Sequence, residues 1–291
     1  MKVGWIGTGI MGSSMAGHIL AEGHELFVHN RTRKKAEGLL NSGAHWCAFP
    51  AEVAGITDLV FTIVGHPADV YDVYLGDKGL LSIKGSCRVM VDMTTSQPSL
   101  ARSIALKALD LGIQILDAPV SGGDIGAREA RLAIMVGGAK EAFEKVLPLF
   151  RCMGKDISLM GGPGAGQHTK MCNQILIAGT MIGVCESLMY ASKLGLDQKS
   201  VIDIIGKGAA GSWCINNLGP RIVNEEHDPG FVVEHFIKDM EIALQESGVA
   251  GLSLPGLALV HQLYLAVKAQ GHGRSGTQAL FLALKSLNGE G

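Results

Sequence analysis

A glycine pattern near the amino end of the chain, Gly7-Thr-Gly9-Ile-Met-Gly12, constrains the fold more than any other feature. It follows directly on an apolar segment, residues 2–6, and leads into a segment of helical character, residues 13–22. The pattern is weak alone, but between a strand and a helix it predicts a turn that binds the pyrophosphate of a dinucleotide. The predicted contacts are Gly7, Gly9, Ile10, Met11 and Gly12. The alternative is a glycine-rich turn without a ligand.

The residues after the second apolar segment indicate which dinucleotide is favoured. Residues 25–29 predict a strand, and Asn30, Arg31 and Thr32 follow it. An enzyme that uses NAD usually has a carboxylate here, which binds the ribose 2′-hydroxyl. This chain has none, and Arg31 can instead make paired, charge-assisted hydrogen bonds to a 2′-phosphate. Thr32 is expected to cap a helix that starts at Arg33. We therefore expect NADP(H) to be favoured, with NAD(H) possible; the alternative is that Arg31 is an ordinary surface residue.

Apolar segments and helical patterns go on alternating through the first half of the chain. The segments that predict strands are residues 58–64, 87–93, 113–117, 131–136 and 155–160. This alternation predicts an α/β Rossmann-type domain with a mostly parallel, doubly wound sheet. Ligands of such sheets bind beyond the carboxyl ends of the strands. The residues expected there are Val64, Gly65 and Thr95, and Ser121, Gly122 and Gly123, which form a candidate nest for a substrate carboxylate or else an ordinary turn.

The second half of the chain reads as helices. We expect a nucleotide-binding domain at residues 1–163 and an all-α domain at residues 164–291, which borders the substrate and mediates oligomerisation. Lys170 and Asn173 lie three residues apart near the start of a long predicted helix, so they share one face and are well placed to reach into a cleft between the domains. Solvated side chains are the alternative, because helix amino ends do not favour cations. Gly179 and Gly183 are expected to allow close helix packing.

Composition excludes several classes of function. The net charge of −2 argues against binding nucleic acid through bulk electrostatics. The six cysteines lack C-x-x-C and zinc-site spacing, so we expect no metal and reduced, mostly buried thiols. The longest apolar run, residues 175–184, is too short to cross a bilayer. No signal-peptide pattern is present, which predicts a cytoplasmic protein, or a mitochondrial one if a transit peptide was removed. The apolar content of the helical half predicts a homodimer or homotetramer.

With these residues in view, the chain resembles the β-hydroxyacid dehydrogenase family along its whole length. Within that family it looks like the 3-hydroxyisobutyrate dehydrogenases and the glyoxylate/succinic semialdehyde reductases. Four segments, highly specific in combination, carry the resemblance: residues 7–16, the dinucleotide signature; residues 117–123, Asp-Ala-Pro-Val-Ser-Gly-Gly, the substrate-binding signature; residues 164–173, Gly-x-Gly-x-x-x-Lys-x-x-Asn, the catalytic signature; and residues 238–239, Lys-Asp, the cofactor-side signature.

The resemblance implies a role for each matching residue. Lys170 would be the catalytic acid/base, and Asn173 would hold the substrate and help to orient the lysine. Asn30, Arg31 and Thr32 are similar to the NADP-preferring members. The other implied contacts are Ser121, Gly122, Gly123 and Phe231 to the substrate, and Thr95 and Lys238 to the cofactor. His168 is the rival acid/base, and Asp239 is expected at a helix surface or in a pair between domains.

The implied reaction is NADPH-dependent reduction of small carboxylate-bearing aldehydes, of the glyoxylate or succinic semialdehyde type, to hydroxyacids. Two departures leave the substrate open: Gly123 stands where the plant-type glyoxylate reductases have serine, and residues 212–217 differ from those reductases. The alternatives are an NAD-dependent 3-hydroxyisobutyrate or tartronate semialdehyde enzyme and a non-catalytic, dehydrogenase-like oligomerisation module. A 6-phosphogluconate dehydrogenase would need a larger helical domain.

Overall fold

The computed structural model of the protein describes residues 1–83 and 85–290. Its contacts divide the chain into two units, Met1–Lys170 and Met171–Gly291. The strands lie in the first unit and are, in chain order, β1 (Lys2–Ile6), β2 (Glu25–His29), β3 (His45–Trp46), β4 (Leu59–Thr62), β5 (Val89–Asp92), β6 (Gln114–Asp117), β7 (Val120–Ser121), β8 (Leu132–Gly137) and β9 (Gly154–Gly161).

One sheet contains all of these strands. Parallel neighbours follow the order β3-β2-β1-β4-β5-β6, which is the doubly wound order of a dinucleotide-binding sheet. β8 runs antiparallel to β6 and β7 and parallel to β9. The predicted α/β Rossmann-type fold with a mostly parallel sheet is therefore confirmed, with an antiparallel junction at β8.

Helices cover both faces of the sheet. They are α1 (Ile10–Ala21), α2 (Glu37–Asn41), α3 (Pro50–Ile56), α4 (Pro67–Leu75), α5 (Pro98–Leu109), α6 (Gly123–Arg128) and α7 (Lys140–Arg151), with a 3-10 turn at Arg33–Ala36. Successive strand residues point to opposite faces, so Val3 and Trp5 of β1 enter one core cluster and Ile6 enters another. Burial on both faces explains why the strands read as continuous apolar runs.

The second unit is helical, as predicted. The long helix α8 (Ala165–Lys193) starts in the first unit and continues through the second. It is followed by α9 (Gln198–Ile205), α10 (Gly219–Val223), α11 (Val233–Val249), α12 (Pro255–Val267) and α13 (Leu280–Leu287), with π-helical turns at Cys214–Leu218 and Lys268–His272 and a 3-10 turn at Thr277–Ala279. Met181 of α8, Phe236 of α11 and Tyr264 of α12 are fully buried and belong to one core cluster.

Helix α8 is more apolar than its uninterrupted apolar run suggested. Its most apolar 18-residue window has a mean hydropathy of 1.5, so its length and composition would suffice to cross a bilayer. The expectation based on residues 175–184 was therefore too narrow, because an average over 18 residues also takes in the polar residues that flank this run. The core helix of a soluble protein meets the same criterion, and Ala178, Met181 and Leu188 of α8 do lie in the core of the second unit.

The glycines of α8 do not pack as expected. A Cβ atom added at Gly179 or Gly183 would meet no atom of the described chain within 4 Å, and both residues are exposed. Within one copy of the chain, the prediction that they allow close helix packing is wrong, because both glycines lie on the exposed face of α8. Leu176 is 72% exposed on that face.

The six cysteines are all unpaired thiols. Cys47, Cys87, Cys185 and Cys214 are buried, and burial raises the pKa of each of these thiols. Cys152 is partly buried, and Cys172 on α8 is exposed.

Candidate active site

The glycines between β1 and α1 have two different explanations. Gly7 has a φ of +99°, and a Cβ atom there would lie 1.9 Å from the carbonyl oxygen of Ile63. A Cβ atom at Gly12 would lie 2.1 Å from the carbonyl oxygen of Gly7. The fold therefore requires both glycines. Gly9 is different: its φ is −71°, and no atom of the chain lies within 4 Å of a Cβ atom added there.

Gly9 lies at the amino end of α1. This residue caps α1 with its backbone alone, so no side chain of Gly9 covers the amide groups that begin the helix. Such a helix end attracts phosphate through its free N–H groups. Ile10 is exposed beside the turn, whereas Met11 packs on the core. The geometry of the loop is compatible with the predicted pyrophosphate contacts of Gly7, Gly9, Ile10, Met11 and Gly12, which stay predictions.

The side chain of Asn30 ties this turn to the end of β2. Its Oδ1 accepts a hydrogen bond from the Thr8 amide (3.0 Å), and its Nδ2 donates to the carbonyl of Thr32 (2.9 Å). The predicted helix cap at Thr32 is wrong, because its side chain makes no capping hydrogen bond. The element that follows is a short 3-10 turn, and the backbone carbonyl of Thr32 accepts from its Lys35 amide instead.

Arg31 extends into solvent, where its side chain is 89% exposed. Its Nη1 lies 3.2 Å from Oδ1 of Asp69, and Oδ2 of Asp69 accepts from the His66 amide at the start of α4 (3.0 Å). Asp69 is therefore fixed by the helix that it caps. Its carboxylate orients the guanidinium of Arg31 just beyond the end of β2. An exposed guanidinium at this position is available to a phosphate.

A buried carboxylate joins the ends of β4 and β5. Oδ1 of Asp92 accepts hydrogen bonds from the Thr62 hydroxyl (2.9 Å) and from the Thr94 amide (3.1 Å). The Val64 amide in turn donates to the Thr94 hydroxyl (3.0 Å). Burial raises the pKa of Asp92 to about 6, although the hydrogen bonds from Thr94 and Thr62 act in the opposite direction. This network fixes Val64, next to Gly65, beside the loop that carries Thr95.

A second buried carboxylate, Asp117 at the end of β6, holds the start of α8. Oδ1 accepts from the Gly164 amide (2.7 Å), and Oδ2 accepts from the Gln167 amide (2.9 Å). Burial raises the pKa of Asp117, and these amide hydrogen bonds oppose the shift. A carboxylate at the amino end of a helix also interacts favourably with the helix dipole. The network places the turns that precede Lys170 directly at the carboxyl edge of the sheet.

The glycines of the predicted catalytic signature are explained by this close approach. Gly164 has a φ of +90°, which only glycine adopts readily. A Cβ atom at Gly166 would lie 2.4 Å from the carbonyl oxygen of Met135 and 2.5 Å from that of Asp117. The first turn of α8 therefore contacts the backbone of β6 and β8 directly.

The candidate carboxylate nest lies after β7. Ser121 ends that strand, and Gly122 and Gly123 both have positive φ angles, +132° and +65°. Two glycines in this conformation let the chain turn sharply into α6, and such turns present successive amides to an anion. The geometry is compatible with the predicted substrate contact.

Lys170 is buried in α8, with 6% of its surface exposed, and Asn173 follows on the same face one turn later. The rival acid/base His168 is exposed, and its Nε2 lies 3.0 Å from Nη1 of Arg102. Within residues 1–83 and 85–290, no three histidine, cysteine or carboxylate side chains come together as a metal site would require.

In the second unit, a chain of polar contacts joins α8 to α11. Nδ2 of Asn173 donates to Oε1 of Gln174 (2.7 Å), and Nε2 of Gln174 donates to Oδ2 of Asp239 (2.6 Å). Lys238 Nζ lies 3.0 Å from the other carboxylate oxygen of Asp239. Asp239 is 1% exposed, so its expected place on a helix surface is wrong. Phe231 is half-buried and contacts the ring of Phe236 edge-on, with centroids 5.9 Å apart.

Several residues of these networks were not found from the sequence. They are Thr62, Asp92, Gln167 and Gln174. Thr62 and Asp92 each stand as a polar residue inside a predicted apolar strand, residues 58–64 and 87–93, and this was a usable signal for the first pair. The two glutamines carried no signal apart from lying within or next to the catalytic signature.

Comparison with known proteins agrees with this geometry. Residues 2–162 match the family model described as the NAD binding domain of 6-phosphogluconate dehydrogenase, and residues 164–284 match the one described as NAD-binding of NADP-dependent 3-hydroxyisobutyrate dehydrogenase. Fold and dinucleotide turn together define an NAD(P)-dependent oxidoreductase.

Similar proteins narrow the class to a family. The chain is 51% identical to a probable 3-hydroxyisobutyrate dehydrogenase-like protein of Arabidopsis thaliana, over 99% of this chain and 86% of that protein. It is 38% identical to 2-hydroxy-3-oxopropionate reductase of Escherichia coli (strain K12), over 98% and 97%. The solved 3-hydroxyisobutyrate dehydrogenase of Mycobacterium tuberculosis superposes with a TM-score of 0.88 at 27% identity, over 98% and 99%. The chain belongs to the β-hydroxyacid dehydrogenase family.

Proposed function

We propose that the protein reduces small carboxylate-bearing aldehydes to hydroxyacids with NADPH, and that Lys170 is the general acid. The observation that carries the proposal is the buried position of Lys170 on the opening turns of a helix anchored at the carboxyl edge of the nucleotide-binding sheet. Burial and the amino end of a helix are both unfavourable for an ammonium group, so a lysine at this position needs a reason beyond apolar packing. A chemical role accounts for it.

The proposed chemistry needs one proton and one hydride for each aldehyde. When bound, the reduced nicotinamide supplies the hydride to the carbonyl carbon. The π electrons of the carbonyl bond then move onto its oxygen, and the ammonium group of Lys170 stabilises this charge and donates a proton to the oxygen. Neutral Lys170 takes a proton back from solvent. In the oxidative direction, neutral Lys170 removes the hydroxyl proton.

The remaining site residues would position the substrate and the cofactor. Asn173 would donate a hydrogen bond to the substrate, and the amides of Ser121, Gly122 and Gly123 would bind its carboxylate. The contacts of Phe231 with the substrate and of Thr95 and Lys238 with the cofactor are part of the same proposal. So are the cofactor contacts assigned to Val64, Gly65 and Arg31.

The aldehyde is proposed to be of the glyoxylate or succinic semialdehyde type. The similarity to 2-hydroxy-3-oxopropionate reductase favours tartronate semialdehyde as a second candidate, because it names a three-carbon aldehyde with a carboxylate. The similarity to 3-hydroxyisobutyrate dehydrogenase-like proteins favours methylmalonate semialdehyde in the same way. All four compounds carry an aldehyde and a carboxylate, as the proposed site requires.

Oxidation of NADPH and of NADH with these four aldehydes tests the proposal. We expect turnover of at least one aldehyde, faster with NADPH than with NADH. Lys170→Ala should lower kcat by about two to four decades, the usual contribution of an acid/base group. The matched control is Lys193→Ala, which removes an exposed lysine from the last turn of the same helix. Full activity in the Lys170 variant, or no turnover of any aldehyde by the wild type, would overturn the proposal.

Assembly and location are also proposed. We propose a homodimer or homotetramer, supported by the apolar face that α8 exposes, and a cytoplasmic location, or a mitochondrial one if a transit peptide precedes the chain. Fractionation of cells that express the tagged protein tests the location.

A further inference from the structure

The strongest unassigned feature is a buried amide between the loop after β5 and the start of α8. Gln167 has no exposed surface, yet both ends of its side-chain amide are hydrogen-bonded. Its Oε1 accepts from the Ser96 amide (2.9 Å), and its Nε2 donates to the Thr94 carbonyl (2.7 Å). Both bonds go to backbone groups that flank Thr95. A side chain that satisfies two backbone groups on either side of one residue fixes the backbone of that residue.

The other end of this link is fixed as well. The backbone amide of Gln167 donates to Asp117 at the end of β6 (2.9 Å), and the Thr94 amide donates to Asp92 at the end of β5 (3.1 Å). Gln167 therefore connects two carboxylate-anchored segments. Lys170 follows Gln167 by three residues on the same face of α8.

We propose that Gln167 is a positioning residue, which sets the place of the Thr95 backbone relative to the helix turn that carries Lys170. This inference rests on the proposed function, in which Thr95 lies by the nicotinamide and Lys170 donates the proton. Because Gln167 is fully buried, it acts through these two residues. A displacement of about 1 Å between reacting groups lowers rates by about a hundredfold.

Two variants separate positioning from stability. Gln167→Met has a similar shape but makes neither hydrogen bond. We expect it to lower kcat about 10- to 100-fold, with KM for NADPH within about twofold of the wild type. The control is Thr57→Val, which removes a buried hydroxyl that donates to the Val53 carbonyl (2.7 Å). Thr57 precedes β4, whereas Val64 follows it, so the control lies at the other end of that strand. This control should lower the melting temperature and leave kcat unchanged.

The pH dependence of a third variant gives a sharper readout. Gln167→Glu keeps an acceptor for the Ser96 amide, but it can donate to the Thr94 carbonyl only when its carboxyl is protonated. Its kcat relative to the wild type should rise at least about fivefold from pH 8.5 to pH 6, at a temperature where both proteins are folded, because burial favours the protonated form. A constant ratio would contradict the inference. So would kcat of Gln167→Met within twofold of the wild type.

A measurement without turnover keeps this inference separate from the proposed function. Amide hydrogen exchange of residues 94–96 in the cofactor-free protein should become at least about tenfold faster in Gln167→Met, because the Ser96 amide loses its acceptor. Thr57→Val should not change it. If the wild type turned over none of the aldehydes, the proposed function would fail alone, and unchanged exchange in Gln167→Met would still overturn the inference.

Discussion

Among the residues that the structure describes, Asp69 is the one side chain that forms an ion pair with Arg31. Its guanidinium is exposed, and one carboxylate orients it at the side of the dinucleotide turn. A residue this exposed contributes little to the fold, and the proposal gives it a role in binding a ligand with negative charge. The proposed NADPH preference depends on this side chain.

Arg31→Ala should therefore lower kcat/KM for NADPH about 10- to 100-fold and leave the value for NADH within about twofold, because a charge-assisted hydrogen bond contributes about 1.5–3 kcal/mol. The control is Lys35→Ala, which removes an exposed positive charge from the following turn. Steady-state kinetics with both cofactors measure the effect. An unchanged ratio between NADPH and NADH would remove the basis for the preference.

Asp92 makes the stability of the first unit depend on pH. Its pKa is raised by burial from 3.8 to about 6 in the folded chain. Between these values the folded protein holds a proton that the unfolded chain has released, so the free energy of unfolding falls as pH rises from about 4 to 6. Above about pH 6 the buried carboxylate is ionised, and its desolvation lowers the free energy of unfolding by the full amount.

Asp92→Asn should remove this dependence while its side-chain oxygen still accepts from Thr62 and Thr94. Between pH 4 and pH 7.5, we expect the free energy of unfolding of the variant to rise by about 2–3 kcal/mol relative to that of the wild type. This is the free-energy equivalent of the pKa shift of Asp92. Urea unfolding at the two pH values measures it. Asp156→Asn, which removes an exposed carboxylate on β9, controls for the change in net charge. Equal pH dependence in the Asp92 variant and the wild type would count against this assignment.

At the level of elements, the first turn of α8 packs so closely against β6 and β8 that no side chain fits at Gly166. Gly166→Ala would force a Cβ atom into the carbonyl oxygens of Met135 and Asp117. We expect it to lower the free energy of unfolding by about 1–3 kcal/mol, as overpacking does, and to lower kcat because the turn that precedes Lys170 must move. Gly248→Ala is the matched control, since a Cβ atom in that helix meets nothing within 4 Å. Denaturant titrations that ranked the two variants equally would refute the packing argument.

How much of these elements the sequence could predict depends on how local the signal is. The turn at Gly7, Gly9 and Gly12, the longer strands and the long helix were predictable, because glycine spacing and apolar runs are read within a few residues. The two-residue strands β3 and β7 were not predicted. The hydrogen bonds of Gln167 and Asp239 were not, because each joins residues more than sixty positions apart. The roles of Lys170 and Asn173 and the boundary at residues 163–164 stay predictions.

For the whole molecule, the exposed face of α8 is the feature that bears on assembly. Leu176 is 72% exposed and Tyr190 is 66% exposed, on the same face as Gly179 and Gly183. Apolar side chains and small residues on one helix face suit contact with another helix. A second copy of this chain is the occupant that the oligomer proposal requires.

Light scattering should accordingly give a mass of two or four times the 30.6 kDa of the chain. Leu176→Glu should shift the mass towards the monomer, because it would bury a charge in the contact. Leu106→Glu is the control: Leu106 is 69% exposed on α5 of the first unit, and its variant should keep the wild-type mass. A monomeric wild type would end the oligomer proposal.

The distribution of the thiols has a practical consequence for spectroscopy. Cys172 is exposed on α8 between Lys170 and Asn173, while four of the other five cysteines are buried and have raised pKa values. Thiol reagents react with accessible thiolates, so a maleimide dye or a spin label added to the native protein is directed to this position. The protein thus carries its own attachment point for a reporter within the catalytic signature, without an engineered cysteine.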